Sequence, residues 1–115
     1  MTDPELKGLS RFRGISREQC GIIVRNKNGS FSIVPVRNES KNPDAYEISE
    51  ESVQKVEGWL FPGESIIGFF HTHLEHHPLE VSDADWEGAA KNPGLIHVIY
   101  KPSTRETMWY SHEED

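Results

Sequence analysis

The chain has a single cysteine, Cys20, in 115 residues. One thiol excludes an internal disulfide framework, and the lack of any Cys-x-x-Cys pair excludes a zinc finger. Cys20 has no paired basic or histidine neighbour in sequence, so a buried structural thiol is expected rather than a nucleophile. No apolar run approaches the length of a membrane span, and no secretory leader is read at the start, so the expected setting is intracellular. Positive charge is scarce: 12 Lys and Arg against 19 Asp and Glu leave a net charge of −7. That balance argues against a general nucleic-acid or anionic-membrane binder. There is no repeat, no linker-like stretch and no His-Glu-x-x-His helix. Apolar residues make up 35% and charged residues 27%, which suits one soluble domain with a small core. A single domain over 1–115 is expected, with a loose arm over about 1–16 and a disordered tail over about 112–115.

Histidine is what the chain has in excess. Four of its six histidines fall between His71 and His77. Ile66-Ile67-Gly68-Phe69-Phe70, just before them, is apolar without alternation, as in a strand covered on both faces. Alternate side chains of a strand share a face, so His71 and His73 point the same way, as two imidazoles on one cation must. Ser82 is a good helix N-cap, and Asp85 follows three residues later in the first turn. Two neutral imidazoles and a carboxylate leave one position of a tetrahedral zinc open for water, the pattern of a catalytic site. Each residue also has a plainer reading. A histidine cluster is often a solvated loop, and Ser82 and Asp85 suffice as capping residues. Glu18, flanked by Arg17, reads by itself as an exposed charge.

Glu18-Gln19-Cys20-Gly21-Ile22-Ile23-Val24 changes that balance. A glutamate before a Cys-Gly-apolar strand, then His-x-His, then a serine and an aspartate, resembles the JAMM (MPN+) metalloprotease domain. That family includes zinc deubiquitinases and compact prokaryotic and phage relatives. The resemblance covers the chain from about Arg17 to the last strand. It implies a single compact α/β domain, a mixed sheet flanked by helices. It implies that His71, His73 and Asp85 bind Zn2+, that Glu18 is the general base and that Ser82 steadies the oxyanion. Leu74 stands where the family usually has proline, and the loop to Ser82 is one residue longer. Asp83 is therefore an alternative third ligand, with Asp85 preferred because it keeps the Ser-x-x-Asp spacing. Glu75, His76 and His77 are expected in an exposed loop. A cupin also uses His-x-His, but its all-β barrel has no place for a helix after Ser82.

The remaining elements are read from periodicity and turn chemistry. Leu6, Leu9 and Phe12 suggest a short helix weakened by Gly8, or a loosely docked arm. Ile22 to Arg25 and Phe31 to Val36 form a hairpin around Asn28-Gly29, with Pro35 at an edge. Ala45 to Ile48 is a short extended piece. A helix from Ser49 or Ser52 to about Trp59 turns Val53, Val56 and Leu60 inward. Ile66 to His73 is the ligand strand, and Ser82 to Lys91 is a helix carrying Trp86, Ala89 and Ala90 inward. Two strands, Leu95 to Tyr100 and Glu106 to Tyr110, complete the sheet. Phe61, Phe69, Phe70, Trp109 and Tyr110 are read as core rather than as a binding surface.

Three functions are open at this point. The first is a zinc-dependent peptidase or isopeptidase. The resemblance implies a protein or peptide substrate with an extended C-terminal tail, such as a ubiquitin-like modifier, and a cytoplasmic enzyme. It also leaves a phage-tail or cell-wall peptidase, placed in a virion, as an alternative. The second is an inactive MPN scaffold or structural subunit. The third is a metal-binding protein without hydrolytic activity.

Overall fold

The computed structural model describes residues 5–13 and 16–112, so the expected tail at Glu113 to Asp115 lies outside the described residues. Its strands are β1 (Leu6–Lys7), β2 (Cys20–Arg25), β3 (Phe31–Val36), β4 (Ser65–Thr72), β5 (Ile96–Lys101) and β6 (Glu106–Ser111). Its α-helices are α1 (Glu50–Trp59) and α2 (Asp83–Ala90). The strands form one sheet in the order β1-β3-β2-β4-β5-β6. β1–β3 and β4–β5 are parallel and the other pairs antiparallel, so the sheet is mixed, as expected for the α/β class. No helix among the described residues is long and apolar enough to cross a membrane.

Local chemistry accounts for most boundaries. Asn26 N–H donates to the Ser30 carbonyl at 2.7 Å and Gly29 takes φ 87°, which closes the β2–β3 hairpin. Ser49 caps α1 through its side chain, which accepts from Ser52 N–H at 3.1 Å, and Glu50 and Glu51 occupy the first turn. Val53, Val56 and Leu60 pack on Ile22 and Val24 on one face of the sheet. On the same face Ala89 of α2 covers Ile99 and Tyr110. The opposite face, with Ile23, Phe70, Val98 and Tyr100, is covered by the N-terminal segment. β4 is thus central and sandwiched, which its unbroken apolar run requires.

Three parts of the structure differ from the sequence reading. Leu6, Leu9 and Phe12 do not form a helix. Gly8, at φ 101°, separates the two-residue β1 from a single 3₁₀ turn, Leu9–Arg11. The segment is nonetheless docked: Leu6 and Phe12 are buried, and the Phe12 ring lies 4.6 Å from that of Phe70. In α2 the inward residues are Asp85 and Ala89, four apart; Ala90, a further 100° round, is exposed, and Trp86 is 44% exposed against the edge of Tyr110. Phe61 is 74% exposed and not core.

Gly68 starts the parallel β4–β5 ladder opposite Ile96. A Cβ at this position would lie 1.8 Å from the Ile96 carbonyl oxygen, so the strands can pair only over a glycine. Gly68→Ala is expected to cost about 3 kcal/mol of folding stability, read as a lowered urea midpoint.

Candidate metal centre

The site is assembled where β4 ends. Strand alternation turns His71 and His73 to one face, and Thr72 between them serves the chain on the other side. Thr72 N–H donates to the Gln19 carbonyl at 2.9 Å, and Gln19 N–H donates to Thr72 Oγ1 at 2.8 Å. This reciprocal pair fastens the residue after Glu18 to the ligand strand. Glu18 is fixed from the other side as well. Its N–H donates to the Pro43 carbonyl at 2.8 Å, and its carbonyl accepts from Asn38 Nδ2 at 2.9 Å. The same Asn38 amide also bonds Ala45, Ser40 and Glu47, folding the 38–48 loop around the site. Glu18 is 4% exposed, so the exposed-charge reading does not hold.

The start of α2 brings the third converging side chain. Ser82 Oγ accepts from Asp85 N–H and an Asp85 carboxylate oxygen accepts from Ser82 N–H, each at 3.1 Å, a complete capping box. That lock aims Asp85 at β4. Asp83 is exposed, so Asp85 is the aspartate that joins the histidines. Asp85 Oδ1 lies 3.1 Å from His71 Nε2, Asp85 Oδ2 lies 3.2 Å from His73 Nε2, and the two Nε2 atoms are 3.3 Å apart. A tetrahedral ion with bonds of about 2.0–2.1 Å sets its ligand atoms roughly 3.3–3.4 Å apart. The imidazole–imidazole separation therefore matches an edge of a zinc site, and each ring nitrogen has one of the two Asp85 oxygens at a similar distance. The tautomer also fits. A carbonyl only accepts, so His73 Nδ1, 2.9 Å from Pro78 O, carries a hydrogen and leaves Nε2 toward the centre.

The electrostatics suit a cation. Burial pushes the His71 imidazole down, against the pull of Asp85, which favours its neutral form. Burial alone would raise the Asp85 carboxyl, but its contacts with His71 and His73 and the Ser82 N–H outweigh that and hold it well below the carboxylate range. Burial lowers His73, yet the Asp85 contact, the Pro78 carbonyl and the charge of Glu18 raise it further, and the net direction is up. The proton favoured on His73 is one that a metal would displace.

Glu18 contributes a second buried carboxylate outside this cluster. Burial, opposed by His73 and reinforced by Asp85 and Asp44, pushes its carboxyl from 4.5 up to about 8. Between those pH values the folded, metal-free chain binds more protons than the unfolded chain, so its stability falls as pH rises. Glu18→Gln removes that loss. Melts in chelator are expected to show the variant more stable than the parent by a few kcal/mol at about pH 8 and nearly equal at about pH 5.

Some contributors carry no sequence signal. Tyr46 stacks on His71, with ring centroids 4.1 Å apart and planes 15° from parallel. His71 Nδ1 is buried without a hydrogen-bond partner among the described residues, and the ring is held by this stacking and by its Nε2 contact with Asp85. Leu74, in the place of the family's proline, is buried, and the carbonyl of Pro78 reaches back to His73 instead. Glu75 is exposed and takes no part in the triad. Cys20 is buried, and burial with the Glu18 charge pushes its thiol up to about 12, in keeping with a structural role.

Residues 10–111 match the family model described as prokaryotic homologs of the JAB domain. A desampylase of Haloferax volcanii is 33% identical over 94 residues, which cover 78% of this chain and 66% of that protein. The chain thus spans just under two thirds of the length of that relative.

Proposed function

The chain belongs to the family of prokaryotic JAB (JAMM/MPN) domains, and from that premise we propose that it is a zinc-dependent isopeptidase. Its substrate would be a ubiquitin-like protein whose extended C-terminal tail is joined to an amine. The observation that carries this reading is the buried convergence of His71, His73 and Asp85 with a separate buried carboxylate, Glu18, held beside them. The desampylase relative favours it over the phage-tail, cell-wall and inactive-scaffold alternatives.

In this mechanism His71, His73 and Asp85 would hold Zn2+. When bound, the cation supplies Lewis acidity, bringing the deprotonation of water to about pH 7. Glu18 accepts the proton of the attacking water and returns it to the leaving amine. A carboxyl raised by burial is suited to holding that proton between the two steps, and nearby positive charge restores its basicity. Ser82 Oγ accepts from Asp85 N–H, so its own hydrogen remains to donate to the developing oxyanion, worth about 3 kcal/mol of barrier. A cavity of about 820 Å³ opens beside His73 over Leu9, Phe12 and Tyr100, with room for an extended tail.

The test is cleavage of a lysine-linked isopeptide made with a ubiquitin-like protein. Cleavage that stops with chelator and returns with zinc is expected. Chelator-insensitive cleavage, or none after zinc loading, would overturn the assignment.

A further inference from the structure

A second group of metal-ligating side chains stands at the rim of the centre. Asp44 Oδ1 lies 3.4 Å from His76 Nε2 and 3.5 Å from His77 Nε2. The ligand atoms of all three fall within 4.8 Å of one another. The two carboxylate–imidazole separations again approach the edge of a tetrahedral zinc, roughly 3.3–3.4 Å. The neighbouring rings of His76 and His77 have centroids 4.3 Å apart, so adjacent residues reach one carboxylate oxygen. His77 Nε2 is itself buried and makes no hydrogen bond among the described residues. A solvated histidine loop would turn that atom to water.

We propose that Asp44, His76 and His77 form a second divalent transition-metal site that clips together the two loops flanking the centre. The donor set is two imidazoles and a carboxylate, which suits Zn2+ and its neighbours rather than Mg2+ or Ca2+. The loops it joins both support the triad. The 38–48 loop gives the Pro43 carbonyl to Glu18 and the Tyr46 ring to His71. The loop after β4 gives the Pro78 carbonyl to His73. A cation between Asp44 and the histidine pair ties these supports to each other. The His76 and Asp44 side chains are 65% and 44% exposed, so this site exchanges its metal with solvent and binds more weakly than the buried triad.

The probe is Zn2+ alone, titrated calorimetrically into the full, metal-free chain. Two equivalents are expected, one tight and one weak, and the weak one adds a further rise in melting temperature. The His76→Gln/His77→Gln variant keeps the tight equivalent and loses the weak one together with that rise. Asp44→Asn weakens the second equivalent by about tenfold or more, because a bare pair of adjacent histidines lacks the anionic ligand. His71→Ala shows the converse, losing the tight equivalent and keeping the weak one, so failure at either site is seen separately. A wild-type chain that takes up one equivalent overturns the proposal. So does a weak equivalent that survives in His76→Gln/His77→Gln or is unchanged in Asp44→Asn.

Discussion

Glu18→Gln is expected to lower kcat on an isopeptide substrate by about 100- to 10,000-fold while zinc content stays at the wild-type value. The amide keeps the volume of the carboxyl but cannot accept a proton. Glu18 is outside the His71–His73–Asp85 triad, so the metal should be retained. The backbone contacts that place it, to Pro43 and Asn38, do not involve its side chain and should survive. Single-turnover kinetics with elemental analysis of the same sample checks both halves. Zinc lost along with activity would make Glu18 a ligand instead of a base. Activity within about tenfold of the parent would remove it from proton transfer altogether.

Asp85→Asn is expected to abolish both metal binding and cleavage, with zinc affinity reduced by at least about 100-fold. Asp85 is the only anionic member of its cluster and touches both imidazoles, at 3.1 and 3.2 Å. Its carboxylate is held ionised by those contacts and by the Ser82 N–H. An asparagine oxygen still accepts the Ser82 N–H and preserves the capping box, so α2 should remain. Circular dichroism in chelator is therefore expected to match the parent, which separates loss of the metal from loss of the fold. The same exchange at Asp83, which is exposed, should leave zinc and activity unchanged.

The parts of this centre that were legible in the sequence are those fixed by local periodicity. His71 and His73 share a face because a strand repeats every two residues, and Ser82 and Asp85 pair because a helix must satisfy its first N–H groups. Glu18 was legible only through family resemblance. Its burial depends on the hydrogen bonds between Gln19 and Thr72 and on a loop that Asn38 gathers from 20 residues away. Tyr46, the Pro78 carbonyl and Asp44 were not legible, since nothing local sets where a loop crosses a strand end. The arm over Leu6, Leu9 and Phe12 shows the reverse case. Neither the short helix nor the loose arm forms: Gly8 in the left-handed region divides a strand from a 3₁₀ turn, and Leu6 and Phe12 are buried. In α2 the face that carries Asp85 toward His71 and His73 also carries Ala89, four residues on, and leaves Ala90 outside.

The most direct measurement is an anomalous difference map at the zinc edge from a crystal of the zinc-loaded chain. The account requires its strongest peak between His71 Nε2, His73 Nε2 and the Asp85 carboxylate, with the Glu18 carboxyl one water molecule away. A fully loaded crystal with no density there, or with the two rings turned from each other, would contradict it.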